Sequence, residues 1–94
     1  MIIIADSGST KTDWCLLEGA KAVCVRTEGM NPYFQSEEEM AQTLQTQLLP
    51  AVTDVKAVEA VYFYGAGCAS AAVNEKVVRT IASFSPVTIE VQSD

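Results

Sequence analysis

The sequence contains no histidine, so it lacks the usual general base near neutral pH and the commonest metal ligand. Acid–base chemistry in this chain falls to carboxylates. Cysteine is scarce as well: Cys15, Cys24 and Cys68 include no C-x-x-C pair, which excludes a self-contained zinc site and fits a reducing compartment. Bases number 6 against 12 acids, and the net charge of −6 argues against nucleic acid or an anionic membrane as partner. Any phosphate site must therefore be local. Long apolar runs are missing, and no basic region precedes the short apolar stretch at the amino end. Neither a signal peptide nor a membrane span is expected, and the chain reads as cytoplasmic.

Two nucleotide-binding signatures are absent. No stretch has the G-x-x-x-x-G-K-[ST] spacing of a Walker A loop, and the glycine pair Gly65 and Gly67 lacks the third glycine of G-x-G-x-x-G, because residue 70 is Ser. What remains is a chain of 94 residues with 49% hydrophobic content. It is long enough for one small domain that buries roughly 60–65% of its unfolded surface.

The first fourteen residues carry the densest chemistry. Ile2 to Ala5 is too short for a helix and suits a strand buried on both faces. Asp6 then stands at the carboxyl end of a central strand, where α/β folds place ligands. The turn Ser7-Gly8-Ser9-Thr10-Lys11-Thr12 has the make-up of a phosphate cradle: Gly8 lets backbone approach an anion, the hydroxyls are donors, and Lys11 is cationic. An acid beside a phosphate implies an intervening divalent metal, held by Asp6 through water. The same residues also suit an ordinary polar hairpin turn.

Further along, Asp13–Glu18 and Lys21–Thr27 read as strands joined across Gly19-Ala20 in a type II′ turn, which sets Cys15 opposite Cys24 as two packed, reduced thiols. Glu28 to Phe34 reads as a loop in which Pro32 holds Asn31 extended. The Asn31 carboxamide either offers a donor and an acceptor to a sugar hydroxyl or caps a turn while Tyr33 and Phe34 pack into the core. Ser36 with Glu39 forms a capping box for a helix that presents Met40, Leu44 and Leu48 and stops near Pro50. A strand opening at Lys56 or Ala57 runs to Tyr64 and ends in Gly65-Ala66-Gly67-Cys68. A helix over 71–84 follows, with Val73, Val77, Ile81 and Phe84 in one stripe, and then a strand over 87–91.

The run from Asp6 to Asp13 resembles the first phosphate motif of the sugar kinase, hsp70 and actin superfamily, and more narrowly the N-acetylglucosamine kinases and the BadF/BadG/BcrA/BcrD ATPase family. Asn31-Pro32, Tyr64-Gly65-Ala66-Gly67-Cys68 and the terminal Asp94 match that family in order and spacing. The resemblance implies the α/β, ribonuclease H-like first domain of an actin-like ATPase, a mixed five-stranded sheet in the order β-β-β-α-β-α-β. It also implies that residues 1–94 are the amino-terminal part of a longer kinase and are inactive alone. In the whole enzyme it implies ATP-dependent phosphorylation of an amino sugar, with N-acetylglucosamine becoming its 6-phosphate. ATP and Mg2+ would be the cofactors, and ATP and the amino sugar the partners; separately, a half-domain with exposed sheet edges and an uncovered apolar face is expected to associate as a homo-oligomer. By the same resemblance Asp94 is the base, Ser7 to Thr12 hold ATP phosphates, Asp6 anchors the metal, and Asn31, Gly65 and Gly67 contact substrate. Two other outcomes share the fold: an ATPase activator of a dehydratase, which would need thiolates gathered around an iron–sulfur cluster, and a non-catalytic actin-like partner-binding module.

Overall fold

Strand β1 (Ile2–Ser7) lies at the centre of a five-stranded sheet, β3-β2-β1-β4-β5, in the computed structural model, which describes residues 1–93. The short loop Gly8–Thr10 returns the chain into β2 (Lys11–Glu18), antiparallel to β1, and a tighter turn returns it into β3 (Lys21–Glu28). At that second turn Glu18 pairs with Lys21, Gly19 has φ 60°, and Ala20 keeps a negative φ. Positive φ at the first loop position alone is the type II′ pattern, which only glycine enters there without strain. The expected register follows, with Cys15 directly opposite Cys24.

The chain then crosses over twice. Helix α1 (Glu37–Thr43) leads to β4 (Ala60–Gly65), parallel to β1; helix α2 (Ala71–Ala82) leads to β5 (Thr88–Ser93), parallel to β4. Both crossovers step across the sheet in the same direction. Right-handed crossovers of one direction put their helices on one face. Accordingly Ile3, Ala5, Trp14, Leu16, Val61 and Phe63 from the sheet pack with Met40, Leu44, Leu48, Val77 and Ile81 from the helical side in one core. Trp14 and Phe63 meet there with ring centroids 5.9 Å apart at 55°, a tilted contact that adds ~0.5–1.5 kcal/mol to their burial.

This arrangement corrects the expectation that β1 is buried on both faces. Ile3, Ala5 and Ser7 are buried, whereas Ile4 and Asp6 on the opposite face are exposed, as are Tyr64 and Cys24 on neighbouring strands. Within the described residues both helices cover one side only.

Local chemistry set the remaining boundaries. The Ser36 hydroxyl accepts the Glu39 N–H at 3.1 Å while a Glu39 carboxylate oxygen accepts the Ser36 N–H at 2.9 Å, so the expected capping box starts α1. Its end differs from a plain stop: Leu44–Leu48 widens into a π turn and Leu49–Ala51 tightens into a 3-10 turn. Pro50 explains the change, since it has no N–H to donate and its ring crowds the carbonyl four residues back. The expected strand start at Lys56 or Ala57 is also displaced, to Ala60. Asp54 accepts the Lys56 N–H at 3.0 Å and draws Val55–Ala57 into a 3-10 turn instead. Ser70 caps α2, whose stripe residues Val77 and Ile81 are buried.

Candidate functional site

The three parallel strands β1, β4 and β5 finish level with one another: Ser7 pairs with Gly65, and Gly65 with Ser93. The polar loop after β1, the glycine turn after β4 and the end of β5 therefore share one rim of the sheet, and the Ala66 N–H ties two of them together by donating to the Ser7 carbonyl at 2.9 Å. Asp94, the expected base, lies outside the described residues.

Within the polar loop the side chains divide by strand alternation. Ser7 continues the inward series of Ile3 and Ala5, and Thr12 sits opposite it on β2; both are fully buried. Their hydroxyls are 2.7 Å apart, Ser7 Oγ also accepts the Met30 N–H at 3.1 Å, and Thr12 Oγ1 lies 3.1 Å from the Glu28 carbonyl. These two hydroxyls fasten the loop from beneath. Ser9, Thr10 and Lys11 are exposed, and the Gly8 N–H closes the turn on the Lys11 carbonyl at 2.8 Å. A Cβ at Gly8 would have only that carbonyl oxygen near it, at 3.6 Å, so the backbone there is open to an approaching group.

Gly29 is the residue that sequence reasoning passed over. A Cβ on it would fall 2.5 Å from the Gly8 carbonyl oxygen and 2.6 Å from the Ser9 carbonyl carbon, so only glycine lets the exit of β3 press against the loop backbone. The signal was available in the sequence, since Gly29 stands two residues before Asn31, but its contact partner lies twenty residues away.

Asn31 is buried, and three turn bonds of a cap are present: its Oδ1 accepts the Tyr33 N–H at 2.9 Å, and its carbonyl accepts the N–H groups of Phe34 and Gln35 at 3.1 and 3.0 Å. The Gln35 side chain returns the bond by accepting the Asn31 N–H at 2.7 Å. Among the described residues the Asn31 Nδ2 donates to no partner. The other half of the turn reading is corrected. Tyr33 and Phe34 do not enter the core but stand 70% and 82% exposed, because the Asx turn and the bond from Lys76 Nζ to the Pro32 carbonyl at 2.9 Å aim the loop tip outward. Opposite this loop lies Gly67 at φ 84°, where a Cβ would overlap Asn31 Oδ1 and lie 3.0 Å from its Cγ. Asn31 and Gly67 thus form one contact. Gly65 serves packing, since a Cβ there would meet Phe63 at 2.6 Å and the Cys68 sulfur at 3.1 Å.

Asp6 projects from the exposed face one residue before the strand end, opposite Asp13 on β2 and Tyr64 on β4. Asp13 is engaged: Arg26 Nε donates to its Oδ1 at 2.7 Å, and that bond holds the Asp13 carboxyl below its ordinary range while raising Arg26. Asp6, directly before the loop, makes no such ion pair among the described residues, while Glu28, Glu38 and Glu39 line the pocket on the side of Ser9 and Thr10. Among the described residues no three Cys, Asp or Glu side chains gather into a metal cluster. One carboxylate suits a hydrated magnesium that takes its other ligands from water and phosphate, and an open backbone with exposed donors suits a phosphate chain, so these residues fit the implied pair. No helix among the described residues is long and apolar enough to cross a membrane.

No family model and no curated protein matches the sequence. Among solved structures, the chain is 41% identical over its whole length to a Porphyromonas gingivalis protein provisionally named an N-acetylglucosamine kinase, with a TM-score of 0.89, and covers 34% of it. YeaZ from Pseudomonas aeruginosa aligns over 99% of this chain and 42% of its own with a TM-score of 0.55; at 22% identity that likeness concerns the fold alone. The chain thus spans about a third of the first protein and less than half of the second. By its mixed sheet and helix order the chain belongs with the ribonuclease H-like, actin-like ATPase folds, and within them it is similar to the provisionally named Porphyromonas gingivalis N-acetylglucosamine kinase.

Proposed function

We propose that residues 1–94 form the amino-terminal part of a sugar kinase that phosphorylates an amino sugar with ATP, N-acetylglucosamine to its 6-phosphate. The observation that supports this is the level ending of β1, β4 and β5, which brings the polar loop, the Asn31–Gly67 contact and the end of β5 to one rim. The similarity to the Porphyromonas gingivalis protein supports the same reading.

In such an enzyme ATP supplies the phosphoryl group, and magnesium neutralises its charge. This chain's share is positioning. Gly8, Ser9, Thr10 and Lys11 present backbone and side-chain donors to the phosphates, while the buried Ser7 and Thr12 hydroxyls keep that loop from collapsing. Asp6 would hold the hydrated metal. Asn31, anchored through its Oδ1, would offer its remaining Nδ2 donor to a sugar hydroxyl, and the turn from Gly65 to Gly67, whose glycines allow it to pack against Phe63 and Asn31, would present its backbone to the sugar ring. Asp94 would accept the proton of the attacking primary hydroxyl, as a general base. The enzyme would act in the cytoplasm as a homo-oligomer, and residues 1–94 alone would not turn over.

The test is Asp94→Asn in the full-length protein. Phosphorylation of N-acetylglucosamine is expected to fall about 10²–10⁴-fold, the usual share of general base catalysis, while sugar binding measured by calorimetry persists. Unchanged turnover would refute the assignment of the base, and absence of any ATP-dependent sugar phosphorylation in the wild type would refute the kinase itself.

A further inference from the structure

The face of the sheet that the helices leave open carries Cys15 and Cys24, directly opposed on β2 and β3. We infer that these two residues form a dithiol site that closes to a cross-strand disulfide when it meets a low-molecular-weight disulfide.

Four observations combine. Opposed residues on antiparallel neighbours have Cβ atoms ~4.5–5.5 Å apart, against ~3.5–4.5 Å across a disulfide, so closure requires a shift of about an ångström. β3 is an edge strand with a partner on one side only, so it can make that shift without breaking a second ladder. The two residues are direct partners in the register on the open face, and both thiols are free. Finally, they share a shallow depression of about 490 Å3 with Ile4, Asp6, Val25 and Arg26, roomy enough for a small disulfide to reach them.

The order of events follows from exposure. Cys24 is exposed and Cys15 half-buried, and partial burial together with the neighbouring Cys24 pushes the Cys15 thiol above its usual range. Cys24, as thiolate, attacks one sulfur of the incoming disulfide, forming a mixed disulfide and releasing the first small thiolate. Cys15 then loses its proton to solvent and attacks Cys24 Sγ, releasing the second small thiolate. Two protein thiols give up two electrons and two protons; one small disulfide becomes two small thiols. The bond would staple β2 to β3 on the hairpin whose far end, Thr12 and Glu28, holds the polar loop. Cys68 takes no part: it is buried behind Gly65.

Trypsin separates the two residues, since Lys11, Lys21 and Arg26 bound Thr12–Lys21 and Ala22–Arg26 as distinct peptides. The folded protein is incubated with oxidised glutathione, alkylated, digested and mapped by mass. Loss of two thiols, an intact mass before alkylation lower by two hydrogens, and the two peptides joined are the expected result. Cys15→Ser is expected to stop at glutathione bound to Cys24. Wild-type protein that retains glutathione on Cys24 with Cys15 still alkylated, or that cross-links through Cys68, overturns the proposal, and both results are read without any variant.

Discussion

Replacing Gly67 by alanine is expected to damage the rim in two separable ways. Gly67 has φ 84°, in the left-handed region that costs a side-chain-bearing residue ~1–2 kcal/mol. The new Cβ would also overlap Asn31 Oδ1 and lie 3.0 Å from its Cγ. Asn31 must then move, and its Oδ1 bond from the Tyr33 N–H, 2.9 Å long, is lost at a cost of ~0.5–1.5 kcal/mol. Together the change should destabilise the protein by about 2–3 kcal/mol, out of a total on the order of 5–14 kcal/mol for a chain of 94 residues. The melting temperature should fall by roughly 10–20 °C. Trp14, the only tryptophan and 2% exposed, reports unfolding through its fluorescence. Asn31→Ala separates the two costs. In that background the overlap is gone, so Gly67→Ala should cost only the backbone term, leaving a coupling energy of about 1 kcal/mol in the double-mutant cycle. Equal costs in both backgrounds, within about 0.5 kcal/mol, would show that Asn31 and Gly67 do not press on each other.

Gly29→Ala sets a Cβ 2.5 Å from the Gly8 carbonyl and so displaces the polar loop; under the proposed kinase function, KM for ATP of the full-length protein should rise about tenfold or more while sugar affinity holds, the range known for small misplacements of a site, and an unchanged KM would count against the loop's role. Ser36→Ala removes one half of the capping box, and chemical denaturation should register a loss of ~1 kcal/mol; no loss would mean α1 needs no cap. Asp13 titrates below its ordinary value of 3.8 because of Arg26, so its stabilising share is complete above that value and fades as pH falls through the depressed one. Arg26→Gln should therefore move the Asp13 carboxyl resonance back toward 3.8 in a pH titration by NMR and flatten the acid limb of stability; an unmoved resonance contradicts the pairing.

The elements governed by neighbours in sequence were legible without coordinates. Gly19-Ala20 dictated a two-residue turn, the turn dictated the strand register, and the register set Cys15 against Cys24. Ser36 and Glu39 announced a helix start that the backbone bonds then showed. Less was visible where short polar side chains compete for backbone groups. Asp54 recruited Lys56 N–H into a 3-10 turn, and Pro50 widened the end of α1; neither effect has a periodic signature. Tyr33 and Phe34 look like core residues by type, yet the Asn31 turn and Lys76, more than forty positions on, hold them out in solvent.

The sequence by itself determined the order of strands and helices, the hairpin register, and which loops carry polar and glycine chemistry, because each depends on contacts within a few residues. Tertiary structure decided what those loops became. Two crossovers in one direction left a face of the sheet open, turned Asp6 toward it, and sent Ser7 and Thr12 inward to brace the loop that Gly29 supports. Those outcomes rest on pairings between residues far apart in the chain, whose partners are chosen only when the whole core packs.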